Sequence, residues 1–402
     1  MMELLAPAGG MPQLKAALRF GADAVYGGLK RFGLRSAAAN FSPEELEEAL
    51  ALVHGAGKRF YLTMNVLPHD EELDALVQEG RKAREMGVDA AIVSDLGAFS
   101  LLRKHVPDLP LHVSTQANVM NAAAAEVFAK MGAERIVLSR ELSLREIASL
   151  KRKLPEEVQL EAFVHGAMCM AHSGRCMLSD YLTGRGANRG SCTQPCRWEY
   201  TVLEAKRPDD PMPVMEDERG TYIFSSFDLN MLDHLPELRD AGIASLKIEG
   251  RMKTDYYVAA VTRVYRLALD LLARSEDAYR AALPELQEEL RKVSHRQSNT
   301  GFYFGSPHPA SGAAKTMQTM IFAGRVLGTW DGMMSIEVKN CIAVEDRIEV
   351  LTPAGSRSLT VSRIQREDTG EDVPLVTVAG LRVRIPVTFR AEAGDYVRCP
   401  VR

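Results

Sequence analysis

The chain has 402 residues, 46% hydrophobic and 25% charged, with 49 basic against 53 acidic side chains and a formal net charge of -4. That is more chain than one hydrophobic core organises, so a large domain and at least one smaller one are expected, and the composition excludes both a disordered chain and a globally basic nucleic-acid binder. No apolar run reaches the length of a membrane span, and the opening MMELLAPAGG lacks the basic start and apolar stretch of a secretory signal, which predicts a cytoplasmic protein without a membrane partner.

In chain order, short and nearly continuous apolar runs alternate with helical patterns: MELLAP, DAVYGG, FYLTMN, AAIVSD, LHVSTQ, RIVLSR, LEAFVHG, YIFSSFDL and SLKIEG. Runs of this kind mark strands of a parallel sheet covered on both faces. Gly21, Gly87, Gly132 and Gly242 each stand where a helical pattern stops and a strand follows, a place that asks for positive φ. Ser42-Pro43-Glu44-Glu45 reads as a helix start, with an N-cap, a proline at the first helical position and a capping-box glutamate. Nine candidates for eight places predict an α/β fold, a TIM-like (β/α)8 barrel over residues 1–305 with one extra or misassigned strand; a doubly wound sheet is the alternative. Asn65, Ser94, Asp95, Ser114, Gln116, Arg140, His165, Glu249 and Arg251 fall at strand ends, which in a barrel share the rim where active sites form.

Two amphipathic helical stretches, near Tyr256–Ala273 and Ala278–Val293, close this region, and residues 306–319 read as a linker. From about Met320 the texture changes to seven short strands with turn signals between them, IFAGRVLG to DYVRCPV, which predicts a small C-terminal β-barrel over residues 320–402.

Four of the six cysteines, Cys169, Cys176, Cys192 and Cys196, fall within 28 residues in the pattern C-x6-C-x15-C-x3-C, inside a Gly-rich insertion at 165–200. In a reducing compartment such clustering points to a metal rather than disulfides. Four thiolates suit a 4Fe–4S cluster, which tolerates varied spacing; structural zinc prefers tighter knuckles, and only the last pair has one. Unrelated free thiols are the third reading. Cys341 and Cys399, far from the cluster, are expected as buried small hydrophobes. From His165 to Trp198 four arginines face one acid, a local charge of +3 beside the thiols, which is either a solvated face or a surface for an anionic partner.

The segment EAFVHGAMCMAHSGRCMLS, together with GADAVYGG and FGLRS, SSFDL with LKIEGRMK, and SHRQSNTGFYFG, resembles the signature of peptidase family U32, the collagenase-like peptidases, over roughly residues 2 to 305. The residues lend the peptidase label little support, since HExxH and GxSxG are both missing. The resemblance implies oxygen-independent hydroxylation instead. On this reading the four cysteines hold a 4Fe–4S cluster, and the branch most resembled makes 5-hydroxyuridine at the wobble position of tRNA with prephenate as hydroxyl donor. Relatives that hydroxylate a 23S rRNA cytidine or a quinone precursor are the alternatives, and a homologous partner subunit is possible. Readings of another class are a true peptidase or a non-catalytic RNA-binding protein stabilised by a metal such as zinc. For the dicarboxylate, Arg251 is the first candidate, with Arg140, Lys247 and Lys253 as alternates, because guanidinium groups bind carboxylates bidentately. Glu249 and His165 are candidates for proton transfer. Arg185, Arg189 and Arg197 could meet phosphates and Trp198 or Tyr200 could stack on a base, with core packing as the competing reading for Trp198.

Overall fold

The computed structural model describes residues 1–35, 38–169, 172–195, 198, 215–217, 220–222, 227–305 and 316–401. Eight parallel strands close into a barrel. They are β1 (Glu3–Pro7), β2 (Ala24–Gly27), β3 (Arg59–Met64), β4 (Ala90–Val93), β5 (Leu111–Val113), β6 (Arg135–Val137), β7 (Gln159–Ala167) and, after two short strands β8 (Met215–Asp217) and β9 (Gly220–Tyr222) and a further strand β10 (Asp228–Asn230), β11 (Ser245–Ile248). Each pairs with the next, and β11 pairs with both β1 and β7, so the ring has no open edge. The surplus ninth candidate is the YIFSSFDL run: its end forms β10, which adds to β7 antiparallel and outside the ring, with β12 (Ser298–Asn299) beside it.

Helices α1 (Met11–Arg19), α2 (Pro43–Gly55), α3 (Leu73–Glu85), α4 (Leu96–His105), α5 (Ala122–Lys130), α6 (Leu144–Lys151) and α8 (Leu235–Asp240) alternate with the strands, α7 (Leu178–Thr183) lies in the cysteine-bearing segment, and the pair α9 (Asp255–Arg274) and α10 (Glu276–Arg291) completes the layer. The local signals act as expected. The Ser42 side chain accepts from the Glu45 N–H, Glu45 reciprocates on the Ser42 N–H, and the four boundary glycines have φ between 88° and 99°. Asp95 is an N-cap as well, accepting from the Ala98 N–H at 2.8 Å, which accounts for its place after β4.

Alternation along the strands sends Leu5, Tyr26, Tyr61 and Ile92 into one side of the barrel interior. The other side holds charge. Glu161, fully buried, takes Lys247 Nζ at 2.7 Å on one oxygen and Arg135 Nη1 at 3.0 Å on the other, and Arg135 also reaches Glu3 at 2.6 Å. Burial pushes the Glu161 carboxyl up, but Lys247 and Arg135 outweigh it and bring it down to about 2.

Residues beyond the linker build a second core under a seven-stranded antiparallel sheet. Its elements are β13 (Met320–Trp330), β14 (Met333–Val338), β15 (Ile342–Ala343), β16 (Arg347–Thr352), β17 (Gly355–Thr360), β18 (Gln365–Arg366), β19 (Leu375–Val376), β20 (Arg382–Pro386) and β21 (Tyr396–Pro400), with β15 and β19 paired apart from the main sheet. Every one of the seven expected strands has a counterpart. Cys399 is buried in this core, whereas Cys341 is only half-buried, a correction to the expectation for that residue. The sheet docks on α9, where Asp255 accepts from Arg325 at 2.6 Å and from the Tyr396 hydroxyl at 2.9 Å and Tyr256 stacks on Phe322. No helix among the described residues is long and apolar enough to cross a membrane.

Candidate active site at the barrel mouth

The C-terminal ends of the strands carry two polar groups. One is neutral: Asn65, Ser94, Ser114 and Gln116 are joined by hydrogen bonds, with Ser94 donating to the Asn65 carbonyl at 3.0 Å and Asn65 Oδ1 accepting the Leu34 N–H at 3.2 Å. The other is ionic. Glu249, directly after β11, has one carboxylate oxygen 3.4 Å from Arg140 Nη2 and 3.9 Å from Arg35 Nη2. Arg140 is fixed by donating to the Ala167 carbonyl at 2.9 Å and by lying 3.8 Å over the Phe163 ring. Arg251 is buried, bonded to Thr63 Oγ1 at 3.1 Å and to Asn40 Oδ1, and among the described residues its Nε has no hydrogen-bond partner. Burial lowers the Arg251 guanidinium to about 10, still charged at neutral pH.

Two guanidinium groups therefore flank one carboxylate, and the charge of a third, on Arg251, bears on it as well. Burial raises the Glu249 carboxyl, but Arg35, Arg140, Arg251 and Lys247 together hold it below the ordinary carboxylate value, and Glu249 is the leading cause of the raised Arg35 value. The Tyr26 hydroxyl donates to the Ile248 carbonyl at 2.8 Å beneath this cluster, and burial raises its phenol well above normal. An under-neutralised arginine group at a barrel mouth has the donor chemistry to bind a carboxylate.

The cysteine-bearing segment lies across this mouth and is pinned on several sides. Ser173 places its N–H and hydroxyl on Glu141 at 2.6 and 2.7 Å, Arg175 Nε donates to the Gln116 carbonyl at 2.7 Å, and Arg189 makes a two-pronged pair with Glu72 at 2.9 and 3.0 Å. Gly190, with φ 87°, approaches so closely that a Cβ there would lie 2.7 Å from the Gly33 carbonyl oxygen, which seats the segment on the loop that carries Arg35. Arg35 is in turn within electrostatic reach of Cys169 and Cys192 as well as Glu249.

Cys169, Cys176 and Cys192 are free thiols; Cys196 and Arg197 lie outside the described residues, as does Tyr200. Among the described residues no three His, Cys, Asp or Glu side chains converge as a metal site. The donor chemistry of those present does suit one. Cys176 Sγ accepts the Leu178 N–H and Cys192 Sγ the Gln194 N–H, each at 3.4 Å, and backbone N–H groups aimed at sulfur are the hydrogen bonds that orient cysteine ligands of a soft metal centre.

The structure also separates residues that the sequence grouped. His165 does not face the mouth. Register along β7 and β11 slips so that Lys247 pairs with Phe163 but Ile248 with His165, and the imidazole ends between Tyr257 and Tyr265, with Nδ1 3.4 Å from the Tyr265 hydroxyl. Alternation predicts the opposite face, and a one-residue slip reverses it. Burial depresses the His165 imidazole to about 4 despite Asp228, so it is neutral at pH 7. Lys247 belongs to the barrel interior through Glu161, and Lys253 turns toward the Ser294 carbonyl and the Tyr257 ring. Arg185 is exposed, and Trp198 is 40% exposed rather than core, with Nε1 donating to the Thr193 carbonyl. Arg35, Tyr26, Thr63, Asn40 and Glu141 were not singled out from sequence; FGLRS, which contains Arg35, was the available signal.

A closed parallel barrel with a cationic mouth, a cysteine-bearing segment across it and an antiparallel domain on its flank define a TIM-type barrel protein of two domains. Models of known families match both parts, Peptidase family U32 over residues 9–312 and Peptidase family U32 C-terminal domain over residues 318–398. The chain belongs to Peptidase family U32. It is 36% identical to the tRNA hydroxylation protein P of Escherichia coli (strain K12), covering 96% of this chain and 93% of that protein. Against the tRNA hydroxylation protein P1 of Bacillus subtilis (strain 168) identity is 35%, over 92% and 88%. The 23S rRNA 5-hydroxycytidine C2501 synthase of Escherichia coli (strain K12) is 33% identical over 92% of this chain but only 55% of its own length.

Proposed function

We propose that this protein is an RNA hydroxylase that forms 5-hydroxyuridine at the wobble position of tRNA, with prephenate as hydroxyl donor. The observation that carries the reading is the meeting at the mouth of a free-thiol segment and an under-neutralised arginine cluster, with the Gly190 end of that segment packed on the loop that carries Arg35. Similarity to tRNA hydroxylation proteins over nearly the whole length of both chains supports the choice of tRNA over rRNA.

In this reading Arg251, Arg35 and Arg140 bind the carboxylates of the donor, and the unpartnered Arg251 Nε gains an acceptor when it arrives. Glu249, held ionised by its neighbours, accepts a proton from the modified base. Asn65, Ser94, Ser114 and Gln116 orient a base edge through their amide and hydroxyl groups. A 4Fe–4S cluster would be held by Cys169, Cys176, Cys192 and Cys196 and would supply one-electron chemistry beside the donor site. A proteolytic reading lacks a comparable anchor, because among the described residues no Ser, Thr or Cys side chain is hydrogen-bonded to a histidine.

Nucleoside mass spectrometry of bulk RNA from a deletion strain tests the assignment. Loss of 5-hydroxyuridine derivatives from the tRNA fraction is expected; unchanged tRNA with a missing rRNA hydroxycytidine would move the substrate to the ribosome. Anaerobically purified protein should contain about four iron and four sulfide per chain, and colourless protein with one zinc would defeat the cluster.

A further inference from the structure

We propose that the outward face at α7, formed by Met177 and Tyr181, with the exposed Leu182 and Trp198 in the same segment, is a stacking surface for unpaired nucleotides of the RNA substrate. The proposal rests on the RNA reading above and adds to it the chain's own means of gripping single-stranded rather than duplex RNA.

Met177 and Tyr181 are one helical turn apart, with the Tyr181 N–H bonded to the Met177 carbonyl at 2.9 Å, so their side chains share a face. They are 76% and 83% exposed, and Leu182 and Trp198 are 41% and 40% exposed. Four large apolar or aromatic side chains held open to water in one short segment mark an interaction surface. The surface is also rigidly mounted. Ser179, fully buried on the inner side of α7, donates its hydroxyl to the Arg185 carbonyl at 2.6 Å and accepts the Thr193 N–H at 3.0 Å. Thr183 donates to the Ser179 carbonyl at 2.6 Å, and Trp198 Nε1 donates to the Thr193 carbonyl at 3.2 Å, so the helix and the indole hang on one hub. An indole tethered before binding loses little freedom on contact.

Charge decides which partner fits. Arg175, Arg185 and Arg189 stand in this segment against Asp180 alone. Arg189 is closed by Glu72 and Arg175 directs its Nε to a backbone carbonyl, while the exposed Arg185 guanidinium has no partner among the described residues. A cationic surface with flat apolar groups suits a ligand that presents phosphates and open base faces together. An A-form duplex hides its base faces in the stack, and an apolar protein surface would leave Arg185 uncompensated.

The chain has two tryptophans, Trp198 and Trp330, so Trp330→Phe makes Trp198 the single reporter in the full-length, anaerobically prepared protein. Titration with bulk tRNA is expected to quench its fluorescence, and an RNA duplex of similar length is expected to bind more weakly and quench less. Tyr181→Ala should weaken tRNA binding about five- to hundredfold, the range of one base–aromatic stack, whereas Tyr181→Phe retains it and neither changes the melting temperature. The proposal is overturned if Tyr181→Ala and Met177→Ala bind tRNA as tightly as the parent, if duplex binds and quenches equally, or if Tyr181→Ala melts several degrees lower, which would mean that the ring packs against the chain itself. Loss of self-association with intact RNA affinity would assign the face to a second copy of the chain instead. Failure of the parent protein to bind any RNA overturns the RNA reading as well, a result distinct from binding that Tyr181→Ala leaves untouched.

Discussion

The interior of the barrel and its mouth both bury charged side chains, and they treat them differently. Inside, Glu3 and Glu161 face Arg135 and Lys247 at 2.6 to 3.0 Å, so charges balance within the network. At the mouth Arg140 and Arg35 share Glu249 at 3.4 and 3.9 Å, Arg251 acts on it only through its charge, and among the described residues the buried Arg251 Nε has no hydrogen-bond partner. A balanced buried network is costly to break at one partner, while an unbalanced one carries positive potential that an anion can complete.

Four measurements would break or sharpen that contrast. The largest effect is expected from Glu161→Gln, which leaves Arg135 and Lys247 short of a counter-charge. A loss of about 3–5 kcal/mol in urea unfolding is expected, and a much smaller loss would show that the interior pairs do not hold the barrel. The interior should also be acid-sensitive. Burial, seconded by Arg135, depresses His112 to about 3 and keeps it neutral. Its unfolded value is about 6.5, so the unfolded chain takes up the proton first and stability falls as pH drops from that value toward 3. Glu161 adds to the decline below the ordinary carboxylate value, down to about 2. His112→Asn should flatten the upper part of this limb in pH-dependent melting, and an unchanged limb would assign it elsewhere.

At the mouth the pattern should reverse, with function more affected than stability. Arg251→Met is expected to cost less stability than Glu161→Gln while weakening prephenate binding about ten- to hundredfold, the worth of charge-assisted hydrogen bonds. Equal dicarboxylate affinity in calorimetry would remove Arg251 from the site. Smallest in binding terms is Glu249→Gln, which frees Arg35 and Arg140. Prephenate should bind a few-fold more tightly while turnover falls, and a rise in KM instead would show that Glu249 positions the donor rather than competing with it.

Much of this was legible in one dimension because it depends on neighbours in the chain. Ser42 through Glu45 start a helix, and Gly21, Gly87, Gly132 and Gly242 end helices, through contacts within a few residues. Continuous apolar runs gave the strands of the barrel, and cysteine spacing marked the segment at its mouth. The direction of His165 was not legible, because a register slip between β7 and β11 is decided by two strands about eighty residues apart in the chain. Arg35 was hidden for a related reason, since its partner Glu249 is remote along the chain. Nor could spacing tell Lys247, whose charge is matched inside the barrel, from Arg251, whose charge is not.

Sequence by itself determined the alternation of strands and helices and the second β domain, because periodicity, capping and turn chemistry act over a handful of residues. Tertiary structure alone decided which charges are neutralised and which face the open mouth, because burial and Coulomb interaction depend on distance in space, and closing the ring brings together side chains that the chain keeps far apart.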